Sequence, residues 1–249
     1  MLKLTCNGTL LSQIFRAIDA ICREVIVDAT CDGLKVLSAD SANVSMIDMF
    51  VSYKEFYTYM FDNPDQVEDS LTLGFPVSKL IPLCSSMEKE KDVYLECDTE
   101  KLKLVFGTYE YSLRMLSVKT LRRPPASRPY PSSDCARFEI PSTVLSEIIK
   151  SSKIIEKSEF VRFITTDNSQ FQYIIEGDDI GERIKSTYDG INNRIAVNAV
   201  YSLDYLKAFN SAIDLKTVEV AFKTDYFITF TYKEGGMKIE YLLAPRINT

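Results

Sequence analysis

The 249-residue sequence predicts an α+β protein of two similar strand-rich domains, each with two helices. Three observations lead there. The segment Thr9-Leu-Leu-Ser-Gln-Ile-Phe-Arg-Ala-Ile-Asp-Ala-Ile21 returns 134 positions later as Thr143-Val-Leu-Ser-Glu-Ile-Ile-Lys-Ser-Ser-Lys-Ile-Ile155. Identities fall at Thr9/Thr143, Leu11/Leu145, Ser12/Ser146 and Ile14/Ile148, and Arg16 is answered by Lys150. A repeat of half the chain length marks a duplicated domain and lies outside the short periods of solenoids. Each half also sets helical patterns among short strand-like runs in the same order. Finally, the stretch 119–134 carries Pro124, Pro125, Pro129 and Pro131, which exclude helix and inner strand. It reads as an extended connector between domains at 1–118 and 135–249.

In the first half, Leu11, Ile14, Phe15, Ile18, Ile21, Cys22 and Val25 recur at helical spacing, which predicts a first helix starting at Gly8 or Thr9. Its polar stripe holds Ser12, Arg16, Asp19 and Arg23. Strands follow at 26–30, 34–38 and 44–51, with Asp32-Gly33 as the hairpin turn. The piece 54–61 is ambiguous. A strand at 70–75 leads to a second helix with Ser78 as N-cap and Pro82 in its first turns, where proline is least disruptive. Runs at 92–97, 101–106 and 109–116 close the half as a meander.

The second half repeats this order. A strand at 137–140 precedes Ser142 as N-cap and a helix over 143–155, with Leu145, Ile148, Ile149, Ser152 and Ile155 inward. Strands are predicted at 160–165, 170–176, 183–188 and 193–197. A helix over 203–213 buries Leu203, Leu206 and Phe209, and strands at 217–222, 227–232 and 238–243 finish the chain.

Composition excludes several classes of function. There is no histidine, which removes Ser-His-Asp and Cys-His catalysis, imidazole acid–base chemistry and His-ligated metals together. None of the six cysteines forms a Cys-x-x-Cys pair, and no phosphate-cradling glycine motif occurs. Asp178-Asp179, followed closely by Gly181, reads as a solvated turn in preference to a carboxylate pair. The expectation is a protein that is not an enzyme, with no catalytic residue, no metal and no cofactor. No export signal is read at the N-terminus and no window reaches eighteen apolar residues, so free thiols and no membrane partner are expected.

With a net charge of −6, global attraction to nucleic acid is not expected. The predicted helices nonetheless each place a cation opposite the apolar stripe: Arg16 and Arg23, Lys79, Lys150 and Lys153, and Lys207. One such helix means only a solvated face. Four equivalent ones, if they lined one concave surface, could hold a phosphate backbone by local, salt-sensitive contacts that carry no sequence information. Asp19, Glu147 and Asp204 lie on or beside those faces and weaken the field, which favours loose contact.

Three segments resemble a known family. Leu37-Ser-Ala-Asp-Ser-Ala-Asn-Val-Ser-Met-Ile-Asp48 is similar to its first-domain signature, Tyr241-Leu-Leu-Ala-Pro-Arg-Ile247 to its closing tail, and Leu121-Arg-Arg-Pro-Pro125 to the connector of archaeal members. The family is the DNA polymerase sliding clamp, proliferating cell nuclear antigen, and the resemblance spans the chain. It implies the DNA clamp fold: a trimeric ring of six similar domains with helices inside and sheets outside, encircling double-stranded DNA as a processivity factor. The implied partners are DNA polymerase, clamp loader, flap endonuclease and DNA ligase, docking through short hydrophobic peptide motifs. The location implied is cytoplasmic at the nucleoid in an archaeon, nuclear in a eukaryote. Whether the ring is a homotrimer or a heterotrimer with paralogues stays open, and a heteromeric clamp acting mainly as a scaffold is the alternative.

Carried onto this sequence, the resemblance implies a partner-peptide surface at Ala39, Val44, Met46, Leu121, Pro124, Pro125, Tyr241, Ala244, Pro245, Arg246 and Ile247. It also implies DNA contact at Lys79 and Lys150, with Arg16, Arg23, Lys153 and Lys207 compensating for Ser12, Asp19, Asp204 and Ser211, where many members carry a cation. Subunit contact is implied between the strand with Tyr109, Tyr111 and Leu113 and the strand with Arg183, Ile184 and Lys185, since unpaired edges invite pairing. The alternation Tyr109, Tyr111, Leu113, Met115 also fits a face of the domain core, so both readings stand.

Overall fold

A computed structural model describes residues 1–61, 70–124, 134–177, 181–213 and 215–246. The chain divides into two compact units, Met1–Pro125 with Lys233–Ile239, and Ala126–Tyr232 with Glu240–Thr249.

The first unit runs β1 (Leu2–Cys6), α1 (Gly8–Asp19), β2 (Val25–Thr30), β3 (Gly33–Ala39), β4 (Ser45–Ser52), β5 (Thr58–Phe61), β6 (Ser70–Phe75), α2 (Ile81–Met87), β7 (Val93–Cys97), β8 (Lys101–Phe106) and β9 (Tyr109–Arg114). Its strands form two antiparallel layers, ordered β5-β1-β7-β8-β9 and β4-β3-β2-β6. Most strands alternate buried and solvated residues, as a sheet covered on one side requires. Gly33 sits at φ +139 in the β2–β3 turn, a conformation that favours glycine, as Asp32-Gly33 predicts.

The second half of the chain repeats the plan: β10 (Ala136–Pro141), α3 (Thr143–Ser152), β11 (Phe160–Thr165), β12 (Gln170–Glu176), β13 (Arg183–Asp189), β14 (Val197–Ser202), α4 (Leu203–Ala212), β15 (Thr217–Phe222), β16 (Ile228–Glu234) and β17 (Met237–Leu243), with Lys233–Ile239 at the β16–β17 turn counted in the first unit. Here the orders are β13-β12-β11-β14 and β10-β15-β16-β17. Strand for strand these match β4-β3-β2-β6 and β1-β7-β8-β9, leaving β5 as an addition to the first unit.

The cores differ in filling. In the first unit α1 buries Leu11, Ile14, Phe15 and Ile18, and each such side chain contributes roughly 1.5–3 kcal/mol. The second unit packs an aromatic cluster, with Phe163 facing Phe171 at 5.3 Å, Tyr201 at 5.7 Å and Phe222 at 6.3 Å. Beside it Phe209 of α4 stacks on Tyr241 of β17 at 4.3 Å.

Several expected boundaries move. Asn7 caps α1, its Oδ1 accepting from Thr9 N–H at 2.7 Å, and the helix ends at Asp19. The helical spacing runs past that end because Cys22 and Val25 still pack inward from the turn and from β2. Ser78 caps nothing: Val77–Lys79 is a single 3₁₀ turn and α2 starts at Ile81, with Pro82 in its first turn. Ser142 has helical torsions and makes no side-chain cap. The strand expected at 193–197 lies at Val197–Ser202, because buried Asn193 turns the chain, its Nδ2 donating to Ile195 O at 2.8 Å. The ambiguous piece resolves into a 3₁₀ turn, Tyr53–Glu55, and β5. Pro125, Pro129, Pro131, Asp178, Asp179 and Ile247 lie outside the described residues.

Candidate nucleic-acid interface and partner-docking surface

Each unit couples its two helices through a serine of the repeat. Ser12 is buried and its hydroxyl donates to Cys84 O on α2 at 3.1 Å. The repeat-equivalent Ser146 donates to Asn210 Oδ1 on α4 at 3.1 Å. Ser12 therefore belongs to a helix–helix seam and not to a polar stripe, a placement that spacing along one helix does not reveal. The seam of the first unit is closed further by Gly8, whose N–H donates to Glu90 O at 3.1 Å.

The candidate cations fall on and around these helix pairs. Arg16 leaves α1 on its polar side and pairs with Glu88, just past α2, at 2.9 Å. Arg23 lies beyond α1 in an exposed turn, and its carbonyl accepts from Ser78 N–H at 3.0 Å, next to exposed Lys79. The structure thus brings Arg23 and Lys79 into one local group. Partial burial pushes the Asp19 carboxyl above its ordinary range, against the opposing charge of Arg23. In the second unit Lys150 is exposed on α3 and Lys153 at its C-terminal end. Lys207 is held by Asp204 one turn away on α4 at 3.0 Å. Tyr188 donates to Glu147, turning that carboxylate toward β13.

Two features of this surface have no local signal in the sequence or only a faint one. Glu88 partners Arg16 through tertiary packing alone. Lys157, exposed at φ +56, stands 134 positions after Arg23, so the repeat spacing that links Arg16 to Lys150 points to it as well.

The docking candidates fall in two groups, one per unit. In the first, Ala39 and Met46 are directly opposed on β3 and β4. Asp40 shapes the intervening turn, its Oδ1 accepting from Val44 N–H at 2.8 Å and Ser45 N–H at 3.1 Å. Leu121 and Pro124 are half-buried along the start of the connector. In the second unit Ala244 and Pro245 are half-buried after β17. Arg246 N–H donates to Val200 O at 2.8 Å, and its guanidinium lies 3.6 Å from the Phe160 ring centroid. Tyr241 needs correction as a docking residue. It is fully buried against Phe209, because its side chain points into the core from β17.

β9 and β13 are both outermost in their sheets. Neither has a buried face: β9 runs exposed and half-buried throughout, and so does β13. Tyr109 is 62% exposed, Tyr111 and Leu113 are half-buried, and only Met115, past the strand, is buried. The Tyr109–Met115 alternation is accordingly not a core face. On β13, Arg183 and Lys185 are exposed and Ile184 is half-buried.

A two-unit α+β chain with duplicated helix pairs and open terminal strands has the architecture of the DNA clamps. A solved structure of the C-terminal region of FEN-1 bound to A. fulgidus PCNA superposes with a TM-score of 0.87 over 100% of both chains at 24% identity. A PCNA2–PCNA3 complex from Sulfolobus tokodaii gives 0.81 at 20% identity, covering 98% of this chain and 99% of that one. Residues 1–120 match the family profile described as proliferating cell nuclear antigen, N-terminal domain. The DNA polymerase sliding clamp of Methanocorpusculum labreanum is 29% identical over 257 residues, covering 99% of each chain. Residues 1–120 thus carry the N-terminal domain of the proliferating cell nuclear antigen family, and the chain over its whole length is similar to DNA polymerase sliding clamps.

Proposed function

We propose that this chain is a DNA sliding clamp. Three protomers close into a ring around duplex DNA, hold a polymerase on its template and dock a clamp loader, flap endonuclease and DNA ligase through short hydrophobic motifs. It is not an enzyme. The observation that carries this reading is the match over nearly the whole chain to a protein named DNA polymerase sliding clamp. The helix pairs face the DNA and the open edges β9 and β13 pair between protomers. Similarity to sliding clamps such as those of Methanocorpusculum labreanum and Archaeoglobus fulgidus supports a DNA-associated protein, and the location proposed is the chromosome in an archaeal cytoplasm.

Phosphate contact requires only cations at suitable spacing, and a chain of net charge −6 must supply them locally. Arg16 and Lys207 are each neutralised by a neighbouring carboxylate, which weakens their pull on phosphate and suits a ring that slides. Exposed Lys79 and Lys150 carry more of the contact. Replacing both with Glu should weaken salt-sensitive retention on DNA, reducing the steepness of the log–log salt dependence by about one for each phosphate that is no longer neutralised. Partner-peptide affinity should not change. Unaltered retention at low salt would remove both lysines from the DNA face.

A further inference from the structure

The segment leading into the connector is stitched down by backbone hydrogen bonds. Met115 N–H donates to Glu100 O at 2.8 Å and Leu116 N–H to Gly74 O at 2.8 Å. After the 3₁₀ turn Val118–Thr120, Arg123 reaches back to β2, where its two terminal nitrogens donate to the two Asp28 oxygens at 2.7 Å each. Asp28 is flanked in the sheet by Lys35 on β3 and Thr72 on β6, its register partners. Thr72 adds a hydroxyl hydrogen bond to Asp28 Oδ1 at 2.8 Å. A planar fork on a carboxylate fixes orientation as well as distance, which a single lysine contact does not.

The residues between these stitches and this fork include Leu121, and Pro124 follows directly. Both are candidate docking residues, whereas the docking surface that the resemblance implies includes neither Asp28 nor Arg123. We propose that Asp28 and Arg123 are positioning residues for partner docking: their bidentate pair clasps the connector to the β2–β6 surface and presents Leu121 and Pro124 in the conformation a hydrophobic partner peptide binds. This rests on the reading of the connector as part of the docking surface. A surface held in its binding conformation spares the incoming peptide the ordering of the chain, so apparent affinity rises with the fraction of protomers clasped.

The groups facing Asp28 are Arg123, Lys35 and Thr72. Partial burial opposes ionisation of the carboxyl, but the hydrogen bonds from Arg123 and Thr72 and the two positive charges outweigh it and hold the group below its ordinary range. A depressed carboxyl keeps its charge, and the clasp its strength, above the ordinary carboxylate pKa of about 4. The clasp is therefore constitutive near neutrality and is lost only as the pH falls through that depressed value.

The test is a double-mutant cycle read by fluorescence anisotropy. The probe is a labelled synthetic peptide from the C-terminal region of a flap endonuclease, titrated into the intact protein. With Arg123 50% and Asp28 21% exposed, solvent screening limits the pair. Asp28→Asn and Arg123→Gln should each weaken binding about five-fold, or about 1 kcal/mol, and the double variant should be no weaker than either single one. Amide hydrogen exchange should quicken over residues 118–124 in all three, with oligomer mass and DNA retention unchanged. Full affinity in Asp28→Asn, or penalties that multiply in the double variant, would overturn the clasp alone. A wild-type protein that does not bind the peptide would overturn the docking reading, and the clasp with it.

Discussion

Gly8→Ala should lower the melting temperature by about 6–12 °C, corresponding to roughly 3 kcal/mol at about 2–4 °C per kcal/mol for a chain of this size. The size of the effect follows from where the added carbon would sit. A Cβ built on Gly8 lies 1.7 Å from Met87 O, 2.5 Å from Met87 C and 3.0 Å from Glu90 O. All three are backbone atoms, so no rotamer change relieves the clash. Either α1 separates from the end of α2, or the Gly8–Glu90 and Ser12–Cys84 hydrogen bonds break. Both outcomes also displace Arg16 from Glu88. Differential scanning calorimetry checks this directly. A fall of less than about one degree would mean that the seam does not hold the two helices together.

Leu113→Glu should dissolve the ring while leaving the protomer folded. Leu113 is half-buried on the outermost strand β9, opposite Leu102 of β8, so a carboxylate there remains solvated in an isolated protomer. Pairing of β9 with β13 of a neighbour would bury that charge without a partner, and in a closed ring of identical protomers this happens at every junction. Loss of at least about 2 kcal/mol per junction, as for a central interface residue, raises each dissociation constant about thirty-fold or more. Light scattering at micromolar concentration should give three times 28.3 kDa for the wild type and 28.3 kDa for the variant. A variant that kept the larger mass would take β9 out of the junction. A wild type that ran as a monomer would instead favour a ring shared with paralogues.

These expectations draw unequally on the sequence. The duplicated plan is legible because the repeat keeps Leu11/Leu145 and Ile14/Ile148 on the buried side of α1 and α3. Strands 70–75, 101–106, 160–165, 170–176 and 217–222 fall where alternation places them, as local periodicity reports burial on one sheet face well. β1 is left out of the sequence reading although Leu2, Leu4 and Cys6 alternate with Lys3 and Thr5, because five residues are a short run for that signal. What the sequence leaves unread at the site has one cause. Ser12, Arg16 and Tyr241 have surroundings set by elements distant in sequence: α2 and the turn after it supply Cys84 and Glu88, and α4 supplies Phe209. A helical wheel shows which side of a helix is apolar, but not that a second helix lies against its flank. The Asp28–Arg123 pair spans 95 positions and is invisible to sequence patterns for the same reason.

Retention by topology means that the protein stays on DNA because it surrounds it, with the helix cations adding only a salt-sensitive drag. The direct measurement loads the labelled protein onto a nicked circular duplex, washes at high salt and then linearises half of the sample. Protein should persist on the circle and run off the cut molecule. Equal release from the two forms would contradict retention by topology.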